Sequence, residues 1–251
     1  MDVWEEEAAV TLGDVDRTNR VKPSAFFRYF QHATSLHGDA LGIGAAQIAA
    51  SGQGWVLSRF SVEIETRPAL SDRLTVRTWP RGFRKLFALR DYEITGAGGQ
   101  PVARARSGWL VIDIHRRRPL REESLCRPLP ANAHLPDMLP EASALADEYT
   151  GTQKTGEKTP AYSDTDYNGH VNNVRYVEWV EDCAGFETLS TAEKFRLDIN
   201  FVNELLPGQT AGIYATPPGP RMYVEARRLD DKVPIFRAAL TAPLTKIPAT
   251  R

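Results

Sequence analysis

The feature that most limits what this 251-residue chain can become is an order of textures that is run through twice. The first pass opens on a helical stretch from residue 23 to about 50, with Pro23 at its first turn. Phe26, Phe27, Phe30, Ala33, Leu36 and Leu41 recur there at helical spacing, and Gly42 and Gly44 interrupt the end, so the last turn is expected to separate. From Gly54 the pattern becomes strand-like. Phe60, Val62 and Ile64 share one face, residues 74–79 alternate again, and residues 86–94 and 101–114 complete a meander around the loop Gly96-Ala97-Gly98-Gly99. The second pass begins near Tyr162, with a helix from about Asn173 and strands at 195–201, 211–215, 221–227 and 234–244. One helix followed by an antiparallel meander, met twice, predicts a duplicated α+β chain. Arg28-Tyr29 and Arg175-Tyr176, each after an apolar residue, set the two helices in correspondence. Between the passes, residues 116 to about 160 hold prolines 119, 128, 130, 136, 140 and 160 and read as a linker, with a short helix near 141–147.

Composition narrows the class of protein. An apolar share of 42% with 25% charged residues describes a globular chain. A net charge of −1 supplies no global field for nucleic acid or an anionic membrane, and no apolar run approaches the roughly 18 residues of a membrane span. The acidic start, Met1-Asp2-Val3-Trp4-Glu5-Glu6-Glu7, is unlike a secretory or transit leader, which predicts a cytoplasmic protein. Cys126 and Cys183 lack CxxC or Cys/His ligand spacing, so neither a disulfide framework nor a metal is expected. The glycines at 96–99 lie between strands rather than ahead of a helix, which argues against a dinucleotide site, and no cofactor is expected.

The densest polar cluster is Asp164-Thr165-Asp166-Tyr167-Asn168-Gly169-His170-Val171-Asn172-Asn173, directly ahead of the second helix. Asp166, Asn168 and His170 alternate and would project to one side if the stretch is extended. Gly169 permits an unusual turn, and Asn172 or Asn173 can cap the helix, whose free N–H groups favour negative charge. Taken alone, an Asp-rich segment before a helix is commonly only a cap and turn. His32 and His37 miss the i, i+4 spacing of a helical metal pair and read as core or surface residues. His115 and His134 carry no signal, Cys183 reads as a small hydrophobe, and Tyr176 and Trp179 as core. Two basic groups, Arg81, Arg84 and Lys85, then Arg116, Arg117, Arg118 and Arg121, read as solvated loops or as a docking face for an acidic partner.

The segment Asp166-x-Asn168-x-His170-Val171-Asn172-Asn173-x-x-Tyr176 resembles the active-site segment of the acyl–acyl-carrier-protein thioesterases. Trp55-Val56-Leu57-x-Arg59, Thr78-Trp79, Leu89-Arg90-Asp91 and Ser107-x-Trp109 resemble that family's first-half landmarks in the same order, and the likeness runs from about Val15 to beyond Gly208. The resemblance implies two tandem hotdog domains, each a curved antiparallel sheet wrapped around a long helix. It implies a first domain at 1–120 housing the acyl chain, a linker at 121–160 and a second domain at 161–251 carrying the catalytic residues. Asp166, Asn168 and His170 would work with a glutamate that alignment places at Glu204; Leu205 stands where some relatives carry a cysteine. Asp14-x-Asp16-x-Thr18-x-Arg20-Val21 parallels the second-half motif but lacks its Asn and His. The implied reaction is hydrolysis of fatty-acyl carrier-protein thioesters to free fatty acid and holo-carrier by activated water. A covalent anhydride route through Asp166 or Glu204 stays open, as do an acyl-coenzyme A thioesterase, a hotdog dehydratase and a non-catalytic acyl-binding module. The implied partner is the acyl carrier protein. Hotdog units often pair their sheets, which leaves a homodimer open, although a double hotdog already contains one such pair.

Overall fold

The computed structural model describes residues 2–146 and 149–242. The first half runs β1 (Trp4–Ala9), α1 (Pro23–Leu41), α2 (Ala45–Ala50), β2 (Gln53–Ile64), β3 (Arg73–Arg84), β4 (Phe87–Gly96), β5 (Pro101–Asp113) and β6 (Arg118–Pro119). The second runs β7 (Gln153–Lys158), α3 (Asn173–Thr191), β8 (Phe195–Phe201), β9 (Ala211–Ala215), β10 (Arg221–Arg228) and β11 (Pro234–Thr241). The strands form one antiparallel sheet in the order β1-β3-β4-β5-β2-β8-β11-β10-β9-β7, with β6 hydrogen-bonded to β5 alone. The two halves mirror one another about the β2–β8 pair, where Arg59 faces Asn200 and Ile64 faces Phe195.

Each helix buries an aromatic stripe against its own half of the sheet. Phe26, Phe27, Phe30 and Ala33 of α1 are almost fully buried, with Phe27 4.9 Å from Phe60 and Phe30 5.0 Å from Tyr92. On α3, Tyr176, Trp179 and Val180 do the same, with Tyr176 5.3 Å from Phe236. Each such side chain contributes about 1.5–3 kcal/mol by leaving water. The expected break after α1 occurs at Gly42, whose φ of 72° admits the left-handed cap, and the Gly42 and Ile43 N–H groups close on the Asp39 and Gly38 carbonyls. The helices begin at Pro23 and Asn173, which sets Tyr29 opposite Trp179, so the Arg-Tyr echo read from sequence is out of register.

The acidic start forms β1, an edge strand whose Glu5 pairs with Arg77 at 3.2 Å. Two expectations need correction. The expected linker carries β7, which closes the other edge against β9. No helix forms over 141–146, and residue 147 lies outside the described residues. The intervening chain is instead tied down by side chains: Asn132 Nδ2 donates to the Asp2 and Pro80 carbonyls, and Asn200 Oδ1 accepts from the Leu145 N–H at 2.7 Å. The last strand ends at Thr241, short of Ala242, and residues 243–244 of its expected extension lie outside the described residues. Among the described residues no helix is long and apolar enough to cross a membrane.

The two helices meet where Glu181 accepts the Ser24 N–H at 2.6 Å and Arg28 pairs with Glu178 at 3.3 Å. Burial pushes the Glu181 carboxyl up to about 7. A raised carboxyl favours the neutral form in the folded state, so its contribution is present at acid pH and is lost as pH rises from about 4.5, the ordinary value, through about 7. Glu181→Gln keeps an acceptor for Ser24 and cannot ionise. Its unfolding free energy should match the parent's below pH 4.5 and exceed it increasingly up to about pH 7, by about 3 kcal/mol. A gap independent of pH would contradict this assignment.

Candidate active site

The polar cluster ahead of α3 is a tight turn rather than an extended strand. Asp166 N–H donates to the His170 carbonyl and Gly169 N–H to the Asp166 carbonyl, both at 3.0 Å, and Gly169 sits at φ 80°, where a side chain would be strained. Thr165 and Val171 bridge the base of this turn. Asp166 holds it closed: Oδ1 accepts the Asn168 N–H at 2.9 Å and Oδ2 accepts from Asn172 Nδ2 at 3.4 Å. Asn172 caps α3 by accepting the Val174 N–H at 2.9 Å, as its position before the helix predicts. The turn therefore brings Asp166, Asn168 and His170 together by curvature, where the sequence reading invoked strand alternation.

His170 is partly buried, with Nδ1 3.3 Å from the Val171 carbonyl and 3.8 Å from Asp166 Oδ1. A carbonyl only accepts, so Nδ1 carries the proton and Nε2 is left as the basic nitrogen. The Asp166 carboxylate, 3.8 Å away, lies too far for a hydrogen bond to the ring. Asn168 is exposed, and no hydrogen bond to its side chain forms among the described residues.

Glu204 follows β8, in a segment stapled to the turn by Val171 N–H on the Leu205 carbonyl at 3.0 Å and by Leu205 N–H on the Tyr176 hydroxyl at 3.3 Å. Leu205 itself is fully buried. Tyr176, expected only as core, is buried and also lines the site. Its phenol is held above the ordinary value by burial, opposed by the Leu205 N–H and reinforced by the Asp166 and Glu204 carboxylates. Sequence reasoning missed Arg117 as a site residue. Its Nη2 donates to Glu204 Oε1 at 3.2 Å, and the signal available was its place in the 116–121 basic group. Arg81, from the other basic group, is structural: Nη1 donates to the Asn132 and Leu135 carbonyls at 2.7 and 2.8 Å.

Asp166, Asn168, His170 and Glu204 all line one cavity of about 840 Å³. Its other wall comes from the first half: Leu57 and Trp55 of β2, Ala88 and Leu89 of β4, and Trp109 of β5, with the two tryptophans edge to face at 6.4 Å. Polar groups that can move a proton thus share one cavity with a cluster of apolar side chains from the first half. The descriptions "Acyl-ACP thioesterase N-terminal domain" and "Acyl-ACP thioesterase C-terminal domain" match residues 1–126 and 148–232.

The chain belongs to the acyl-ACP thioesterase family.

It is 28% identical over 160 residues to the chloroplastic palmitoyl-acyl carrier protein thioesterase of Cuphea hookeriana, covering 60% of this chain and 38% of that one. It is 30% identical over 162 residues to oleoyl-acyl carrier protein thioesterase 2 of Arabidopsis thaliana, covering 60% and 44%. The chain therefore spans less than half the length of these curated relatives. Its double hotdog fold matches the crystal structure of an acyl-ACP thioesterase from Bacteroides thetaiotaomicron with a TM-score of 0.80 at 22% identity, covering 96% of this chain and 97% of that one. The 12:0-ACP thioesterase from Umbellularia californica gives 0.76 at 18% identity, covering 96% of each.

The first half of the chain keeps the turn without the histidine. Asp16 N–H donates to the Arg20 carbonyl at 2.9 Å and Asp16 Oδ1 accepts the Thr18 N–H at 2.8 Å, while Oδ2 pairs with buried Arg67 at 2.6 Å. Breaking a buried pair costs about 3–5 kcal/mol, whereas loss of an exposed turn bond costs about 1 kcal/mol. Asp16→Ala should therefore lower stability in urea titrations several times more than Asp166→Ala. Equal losses would show that Arg67 does not depend on its carboxylate.

Proposed function

We propose that this chain hydrolyses acyl thioesters borne by acyl carrier protein, releasing a free fatty acid and the carrier thiol. The observation that carries the reading is a cavity whose one wall presents Asp166, Asn168, His170 and Glu204 and whose other wall carries the apolar side chains of Trp55, Leu57, Ala88, Leu89 and Trp109. In this assignment the first half houses the acyl chain and the second supplies the reacting groups.

A water between His170 Nε2 and Glu204 attacks the thioester carbonyl. The new C–O bond forms as the water proton passes to Nε2, a histidine being suited to such exchange near neutral pH. The oxyanion is met by the Asn168 amide and by the N-terminal end of α3. Collapse breaks the C–S bond, and His170 returns the proton to the departing thiolate. The Val171 carbonyl fixes the proton on Nδ1, which keeps Nε2 available throughout. Activated water is favoured over an anhydride on Asp166 because both carboxylate oxygens of that residue are already engaged in closing the turn. Arg117, 77% exposed beside Glu204 at the cavity, offers a cation to the phosphate of the carrier arm.

Thiol release from carrier-linked and coenzyme A-linked forms of one acyl group tests this. The carrier-linked form should be turned over with the higher kcat/KM. His170→Ala should lower kcat by about 10²–10⁴-fold, and Glu204→Gln should lower kcat with little change in KM. Preference for the coenzyme A form would move the assignment to an acyl-coenzyme A thioesterase. Absence of thiol release from every thioester by folded protein would refute hydrolysis.

A further inference from the structure

The first-half wall of the cavity holds a charge that thioester hydrolysis does not use. Arg90 on β4 is only 6% exposed and lines the cavity beside Thr34, Ser35, Gly38 and Pro80. Among the described residues no carboxylate pairs with it. Its Nη1 donates to His37 Nδ1 at 3.0 Å and to Thr78 Oγ1 at 3.2 Å. The Thr78 hydroxyl gives its own proton to the Asp91 carbonyl at 2.9 Å, so towards Arg90 it acts as acceptor. To accept at Nδ1, His37 must be neutral with its proton on Nε2.

Both partners are thus neutral, and burial lowers the hold of Arg90 on its proton, with Tyr92 acting in the opposite sense. The Nε and Nη2 donors have no acceptor among the described residues, and the Arg90 side chain lines the cavity. The adjacent residue shows how differently this chain treats a buried charge elsewhere. Asp91, on the opposite face of β4, is met by Arg106 through two hydrogen bonds at 2.6 and 2.7 Å. A buried guanidinium without a counter-charge facing only hydrocarbon costs several kcal/mol.

Arg90 also stands away from the reacting groups. From β8, which leads into Glu204, the sheet passes through β2 and β5 to β4. Three strand spacings amount to about 14 Å. We infer that the far part of the cavity is a subsite for an oxygen acceptor carried by the acyl chain, a hydroxyl, keto or carboxylate group remote from the thioester, bound by Arg90. Such an acceptor would take the donors left open by His37 and Thr78 in a charge-assisted hydrogen bond. This inference rests on reading the cavity as the acyl site and names the substrate class for it.

The test compares carrier-linked acyl thioesters of equal length with and without a terminal hydroxyl or carboxylate, using wild type and Arg90→Met. Methionine keeps an unbranched side chain and removes an uncompensated buried charge, a change often neutral for stability. Wild type should favour an oxygenated chain in kcat/KM by about tenfold at the length that reaches Arg90. Arg90→Met should reverse the preference. A wild-type preference for the plain chain at every length, or a ratio unchanged in folded Arg90→Met, would overturn the subsite. Thermal shifts with free hydroxy, dicarboxylic and plain fatty acids on wild type provide a reading that needs no turnover. A larger shift with the oxygenated acids supports the subsite even if no thioester is hydrolysed, and equal shifts contradict it. If Arg90→Met does not fold, these shifts and the wild-type ratio decide.

Discussion

Pairing of β2 with β8 joins two half-sheets that would otherwise each present a bare edge, and it also makes room for the cavity. β2 is twelve residues long and β8 is seven. Their pairing runs from Ile64 opposite Phe195 to Arg59 opposite Asn200, so the start of β2, with Trp55 and Leu57, continues past the end of β8. A bulge between Leu57 and Arg59 bends the strand at the point where its partner ends. The overhang becomes one wall of the cavity, and the segment carrying Glu204 becomes another. Side chains pin this register, with Ser61 Oγ on Asp198 Oδ1 at 2.5 Å and Arg196 on Glu63 at 3.0 Å. A slip by one residue would turn every inward side chain outward.

The same turn serves two ends in the two halves. In the first, the aspartate that shapes it binds Arg67, whose other donors reach the Val21 carbonyl at 2.8 Å and the Leu189 carbonyl near the end of α3. That arginine ties the first turn to the second helix. In the second, the equivalent aspartate faces a histidine and a cavity instead. One local geometry thus yields a structural clamp where it meets a buried cation and a reactive constellation where it meets open space. Buried Arg90 and half-buried Glu181 extend this contrast, because each is an ionisable group whose partners are neutral or incomplete.

Much of the fold was legible because its central elements bury one face completely, which forces periodicity on residues such as Phe26, Phe30, Phe60 and Val62. The edge strands were not legible. β1 and β7 carry Glu5, Glu7, Lys154 and Glu157, as strands that bury little and avoid edge-to-edge association tend to do. The order within 130–146 was hidden because it depends on Asn132 and Asn200 reaching segments distant in sequence. Asp166, Asn168 and His170 could be singled out because they are close together in the chain. Glu204 required alignment of a strand, and Arg117 and Arg90 required topology, since only the sheet order brings residues from β4 and the β5–β6 turn to one cavity.

The most direct test of the account is a structure with an acyl-pantetheine phosphate analogue in which a ketone replaces the thioester. The account predicts the ketone oxygen within hydrogen-bond distance of Asn168 or the start of α3, His170 and Glu204 at the reacting carbon, and the alkyl chain lying past Leu57 and Ala88. A chain buried instead beneath α3, or a ketone remote from His170, would contradict it.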